Sequence, residues 1–141
     1  MMKFPALTEN QIKSLGFDLG RLCRKHDVVL GLSGNLGSGK TTFIKSFAKA
    51  LNIKKVKSPT FIIVSQYKFD KKNFFHIDFY RLGHIDELQA LGLSDIFTLP
   101  HRIAVIEWVD KFPSVKKQCD ILIDFKIKPN KTRDVTITFN R

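Results

Sequence analysis

Residues 28–42 read VVLGLSGNLGSGKTT, an apolar run that breaks into a glycine-rich stretch. Gly34, four intervening residues and Gly39-Lys40-Thr41 reproduce the spacing of a phosphate-binding loop, G-x-x-x-x-G-K-[ST]. Gly34, Gly37 and Gly39 permit the backbone angles that turn successive N–H groups inward, and a following helix presents its positive end to an anion. Context supports the match. Val28 to Leu32 predicts a buried strand before the loop, and Ile44, Phe47, Ala48 and Leu51 recur at helical spacing after it. The predicted nucleotide-binding residues are therefore Gly34, Asn35, Leu36, Gly37, Ser38, Gly39, Lys40, Thr41 and Thr42, with ATP and Mg²⁺ as the implied ligands. Lys40 is expected to be exposed toward the ligand and to meet the β- and γ-phosphates as a point charge, while the Thr41 hydroxyl ligates the bridging Mg²⁺.

Working outward, Thr8-Glu9-Asn10-Gln11 predicts a capping box, and Ile12, Leu15, Leu19 and Leu22 mark one face of a helix over about residues 9–25. After the loop, its helix runs to about Asn52. Phe61 to Phe69 reads as a strand, Asp70 to Asn73 as a turn, and Phe74 to Phe79 as the antiparallel partner. A helix from Ile85 to about Leu91 stops at Gly92, and Ile103 to Ile106 is a short buried strand. Alternating Ile121, Ile123, Phe125 and Ile127, then Val135, Ile137 and Phe139, form a C-terminal β-hairpin across Pro129-Asn130-Lys131. The expected fold is a single α/β P-loop NTPase domain over residues 1–141, with a mixed parallel/antiparallel sheet flanked by helices.

A phosphate loop needs acids to manage magnesium and water. Asp78 and Glu107 each end an apolar strand, which is where α/β sheets place ligands. Asp78 is assigned to the magnesium side because its short carboxylate reaches the ion directly or through a bound water. Glu107 is then free to orient or deprotonate the attacking water. Ser58-Pro59-Thr60 admits two readings: Thr60 as a magnesium or γ-phosphate switch, or an ordinary loop before a strand. His76 is read as a core histidine rather than a catalyst, and Trp108 as packing or a partner dock.

Composition limits what such a site can serve. The chain has 141 residues and a net charge of +11, with 18 lysines among its 24 basic residues. That field favours polyanions such as nucleotides, RNA or an acidic protein, or else reflects solvated lysine faces. No apolar stretch is long enough to span a membrane, and no signal peptide is visible, so a cytoplasmic location with no membrane partner is expected. Cys23 and Cys119 form no metal-binding pattern and are expected to be reduced structural thiols. Arg81 and Arg102 alone fall in the central region, so no arginine is expected near the loop.

Gly34 to Thr42, Ser58-Pro59-Thr60-Phe61, His76-Ile77-Asp78-Phe79-Tyr80-Arg81-Leu82 and Glu107-Trp108 occur in the order and spacing of the bacterial TsaE (YjeE-like) ATPases. The chain resembles that family over nearly its whole length. The loop by itself would name only a superfamily; the other three segments together are specific. The resemblance implies a role in making N6-threonylcarbamoyladenosine, the modification beside the anticodon in tRNAs that read codons beginning with A. It implies an ATPase that binds the TsaB–TsaD heterodimer and supports its turnover without performing the transfer. By motif position, Lys40, Asp78 and Glu107 are the implied catalytic residues, and Thr41, Asp78 and Thr60 the metal-side residues. Ser58, Pro59, Thr60 and Trp108 are the implied switch or partner-facing residues. The tail beyond Lys111 carries no family signature. A small-molecule P-loop kinase is the alternative enzyme; it would need an acceptor pocket and a lid with arginines, and no insertion here is long enough for one. A basic tRNA-binding module that merely grips phosphate is the alternative from another class. For the ATPase, tRNA would be an indirect or weak partner through the basic surface.

Overall fold

The computed structural model describes residues 1–57 and 63–140. Its centre is β2 (Val28–Ser33), the apolar run before the loop, which pairs in parallel with β5 (Arg102–Glu107) and with β6 (Ile121–Ile127). Around these, β1 (Met2–Leu7), β3 (Val64–Phe69), β4 (Lys72–Asp78) and β7 (Arg133–Phe139) complete a seven-stranded sheet in the order β1-β7-β6-β2-β5-β4-β3. The sheet is mixed, as expected. The β4–β5 pair is parallel, whereas β3–β4, β6–β7 and β1–β7 are antiparallel.

Alternation along the central strands divides the core in two. Leu30, Leu32, Ile103 and Val105 face α1 (Glu9–Cys23) and α2 (Lys40–Ala50), which bring Phe43 and Phe47. Val29, Ala104 and Ile106 face the other layer, where Phe79, Val109, Phe112 and Val115 are buried. That layer holds α3 (Glu87–Ala90), α4 (Leu93–Thr98), a 3₁₀ turn (Val109–Lys111) and α5 (Pro113–Lys116). Both cysteines are buried, and burial pushes the Cys23 thiol up to about 11. Among the described residues no helix is long and apolar enough to cross a membrane.

The capping box forms as read: Thr8 accepts from the Gln11 N–H, and Gln11 accepts from the Thr8 N–H. The buried face of α1, however, is Ile12, Gly16, Leu19, Gly20 and Cys23, while Leu22 stands 71% exposed. Close helix contact is the reason. A Cβ on Gly16 would lie 2.6 Å from the Phe43 carbonyl oxygen, and one on Gly20 2.5 Å from that of Phe47. The two glycines let α2 approach where a leucine stripe would hold it away.

Other boundaries also moved. α1 ends at Cys23 and α2 at Ala50, each about two residues early. The β3–β4 turn is only Asp70-Lys71, both at positive φ (46° and 62°), so β4 starts at Lys72 and ends at Asp78. The predicted strand starting at Phe61 is described only from residue 63, and β3 begins at Val64. Gly92 ends one short helix and caps a second, α4, which the sequence reading missed. β1 was missed because Pro5 and a mostly exposed pattern disguise an edge strand with a bulge between Phe4 and Leu7.

Candidate nucleotide site

The loop between β2 and α2 is shaped by its glycines. Gly34 sits at φ 142°, and a Cβ there would meet the Phe125 carbonyl oxygen at 2.7 Å and Ser38 Oγ at 2.8 Å. Gly39 caps α2 at φ 102°, a left-handed angle that few side chains tolerate. The Ser38 N–H closes on the Asn35 carbonyl at 3.1 Å, and Ser38 itself is fully buried, with no partner for Oγ among the described residues. The first-turn N–H groups of α2 have no acceptor inside the helix and point where an anion would sit.

Asp78 and Glu107 are brought together by register. They are direct partners on the parallel β4–β5 pair, and Glu107 is also opposite Leu32, next to the loop. Both line one cavity of about 320 Å³ with Lys40, Thr41 and Trp108. Asp78 Oδ1 accepts the Tyr80 N–H at 2.9 Å. Burial raises its pKa above the ordinary carboxylate value, that hydrogen bond opposes the rise, and the Glu107 charge adds to it.

Two expectations about individual side chains change. Lys40 is not exposed: it is 5% accessible, donates to the Gly34 carbonyl at 2.5 Å, and lies 3.7 Å from the centroid of the Trp108 ring. Burial lowers its pKa, against the nearby Glu107, Asp78 and Asp110 charges. Glu107 is not free either. Its Oε2 is 2.7 Å from His76 Nε2, and both side chains are buried. His76 is thus a core histidine that also holds a site carboxylate, while its Nδ1 has no partner among the described residues. Trp108 adopts a left-handed backbone (φ 59°) that aims its ring at Lys40, with Tyr80 5.1 Å away on the ring. Ser58, Pro59 and Thr60 lie outside the described residues.

Sequence reasoning missed one cation. Arg133, the first residue of β7, lines the same cavity and donates from Nη2 to the Gly37 carbonyl at 3.0 Å, so an arginine does stand at the loop. Its only local signal was a basic residue just after the hairpin turn. The sheet, not the sequence spacing, brings it to residue 37.

The residues suit magnesium in character. No cluster of three or more His, Cys, Asp or Glu able to hold a metal occurs among the described residues. A hydroxyl (Thr41) and a carboxylate (Asp78) beside a phosphate cradle are instead the sparse, hard-oxygen donors that Mg²⁺ accepts when phosphates supply the remainder.

Comparison with known proteins agrees with the architecture. The crystal structure of Bacillus subtilis YdiB superposes with a TM-score of 0.73 at 26% identity, covering 99% of this chain and 86% of that one. The tRNA threonylcarbamoyladenosine biosynthesis protein TsaE of Aquifex aeolicus is 35% identical over 133 residues, 92% of this chain and 90% of its own length. That of Bacillus subtilis is 37% identical over 111 residues, 78% of this chain and 68% of its own. The family model for threonylcarbamoyl adenosine biosynthesis protein TsaE matches residues 6–135, a span that takes in the loop, both strand-end carboxylates and Arg133. With fold, motif order and full-length similarity in accord, the chain belongs to the TsaE family of tRNA threonylcarbamoyladenosine biosynthesis proteins.

Proposed function

We propose that this protein binds Mg-ATP at residues 34–42 and hydrolyses it slowly, as the accessory ATPase of a TsaB–TsaD pair that forms N6-threonylcarbamoyladenosine in tRNA. The observation that carries this reading is the register match of Asp78 with Glu107 beside Lys40 and Thr41 in one cavity. Lys40 leaves the Trp108 ring and the Gly34 carbonyl to meet the β- and γ-phosphates. Thr41 and Asp78 would hold Mg²⁺, which would supply positive charge against the phosphate oxygens. Glu107, anchored by His76, orients the attacking water and accepts its proton. A groove beside the cavity is lined by Lys13, Lys45, Lys49, Lys54, Lys55 and Lys57, and it favours approach of polyanions, nucleotide or tRNA.

Calorimetry and a phosphate-release assay on the purified chain, with and without the TsaB–TsaD pair, test this directly. Tight Mg-ATP binding with slow release that the pair accelerates is expected. Absence of ATP binding, or transfer of the γ-phosphate to a metabolite instead of water, would overturn it.

A further inference from the structure

Arg133 has a place in this cavity that none of the motif residues explains. Its Nη2 donates to the Gly37 carbonyl at 3.0 Å and its Nη1 to the Lys131 carbonyl at 2.7 Å, while its buried Nε–H has no acceptor among the described residues. The guanidinium is thus fixed by two backbone carbonyls and pairs with no carboxylate among the described residues.

The sheet order states which end of a ligand it faces. Asp78 and Glu107 come from β4 and β5, on one side of β2; β6, β7 and β1 lie on the other. Because β6 runs parallel to β2, its carboxyl end and the return of the chain at Arg133 share the sheet edge that carries the loop. Glu9 and Ile12, at the start of α1 just after β1, line the cavity on that side as well. A triphosphate laid with its terminal phosphate toward Asp78 and Glu107 would cross the loop and bring its nucleoside to the side that carries Arg133.

We propose that Arg133 is a nucleotide-contacting residue: it ties down Gly37 at the tip of the loop and lays its guanidinium plane along the base and ribose of the bound nucleotide. A planar, weakly hydrated cation suits that position, since arginine stacks on aromatic faces where lysine offers only a point charge. Of the residues that line the cavity with Arg133 at the start of α1, Ile12 is aliphatic and Glu9 carries the charge that a phosphate would avoid. The proposal rests on the ATP reading above, and it adds what that reading lacks, a contact that distinguishes a nucleotide from bare polyphosphate.

The test compares Mg-ATP with inorganic tripolyphosphate, each titrated with Mg²⁺ into the full chain by calorimetry, for the parent, Arg133→Gln and Arg133→Lys. Arg133→Gln is expected to weaken ATP about tenfold, the low end of one base stack, with tripolyphosphate weakened less than about threefold. Arg133→Lys keeps the charge and a donor for Gly37, so tripolyphosphate should bind as to the parent while ATP is still weakened; this variant serves if the glutamine variant does not fold. Equal losses for both ligands would make Arg133 a phosphate or loop-ordering residue and overturn the proposal, as would no loss for either. A parent that binds tripolyphosphate as tightly as ATP also overturns it, leaving the phosphate site intact. A parent that binds neither ligand removes the ATP reading itself, and the proposal with it.

Discussion

Glu107 Oε2 lies 2.7 Å from His76 Nε2, joining the ends of two neighbouring parallel strands through a buried contact next to the phosphate loop. Removing either partner leaves the other's polar atom buried without this contact. His76→Ala should therefore cost about 1–3 kcal/mol of stability, the usual penalty for an unsatisfied buried polar group. Glu107→Gln keeps an oxygen for the imidazole and should cost less, yet lower ATP hydrolysis at least about a hundredfold with ATP still bound. Urea denaturation and phosphate release measure the two effects. Equal destabilisation by both variants, or undiminished hydrolysis in Glu107→Gln, would show that the pair does not divide its work this way.

The contact between Lys40 and Trp108 gives an optical readout, because Trp108 is the only tryptophan. If Lys40 moves to the phosphates, Mg-ATP should change the intensity or wavelength of tryptophan emission. Lys40→Ala should begin from a different emission, bind ATP at least about a hundredfold more weakly and show no ATP-dependent change. An ATP response that persists in this variant would mean that Trp108 senses the ligand without Lys40.

Asp78 bears a raised pKa chiefly because burial disfavours its charge. The native state therefore takes up a proton more readily than the unfolded chain does. Stability from this group is present below the unfolded carboxylate pKa of about 3.9 and is lost as pH rises through the folded value. Asp78→Asn retains the oxygen that accepts the Tyr80 N–H and removes the charge. Without ligand it should melt above the parent at pH 8, with the gap closing as pH falls into the carboxylate range, while its ATP affinity becomes less dependent on Mg²⁺. Scanning calorimetry across pH checks the first outcome; a lower melting temperature at pH 8 would contradict it.

The glycine face of α1 offers a packing test remote from the chemistry. Gly16→Ala places a methyl group 2.6 Å from the Phe43 carbonyl oxygen, which belongs to backbone and cannot turn aside. Although alanine favours the helix by roughly 0.5–1 kcal/mol, overpacking costs about 1–3 kcal/mol, so net destabilisation is expected. Gly83→Ala is the control, since a Cβ there meets nothing within 4 Å. Equal unfolding midpoints in urea for both variants would show that the two helices have room to separate.

Coupling to a partner has a thermodynamic signature. If ATP strengthens assembly with the TsaB–TsaD pair by some factor, the pair must strengthen ATP binding by the same factor. Affinities measured for each, with and without the other, should close that cycle. An assembly and a nucleotide affinity that each ignore the other would show that ATP and the pair are not coupled.

Much of this molecule could be read locally. The strand, loop and helix around residues 28–51, the capping box at Thr8 and the terminal hairpin each depend on interactions a few residues apart, where glycine angles, side-chain capping and periodicity are decisive. The strand-end positions of Asp78 and Glu107 followed from the same patterns. What depended on separation in the chain was decided only by packing. Leu22 loses its place in the core because Gly16 and Gly20 admit α2 at close range, and β1 gains its pairing only from β7. Lys40 turns onto Trp108, and Glu107 onto His76, because three strands meet at the loop edge of the sheet. Arg133 reaches Gly37 across 96 positions of sequence for a similar reason: the hairpin returns at the sheet edge that carries the loop, a closeness no local pattern encodes.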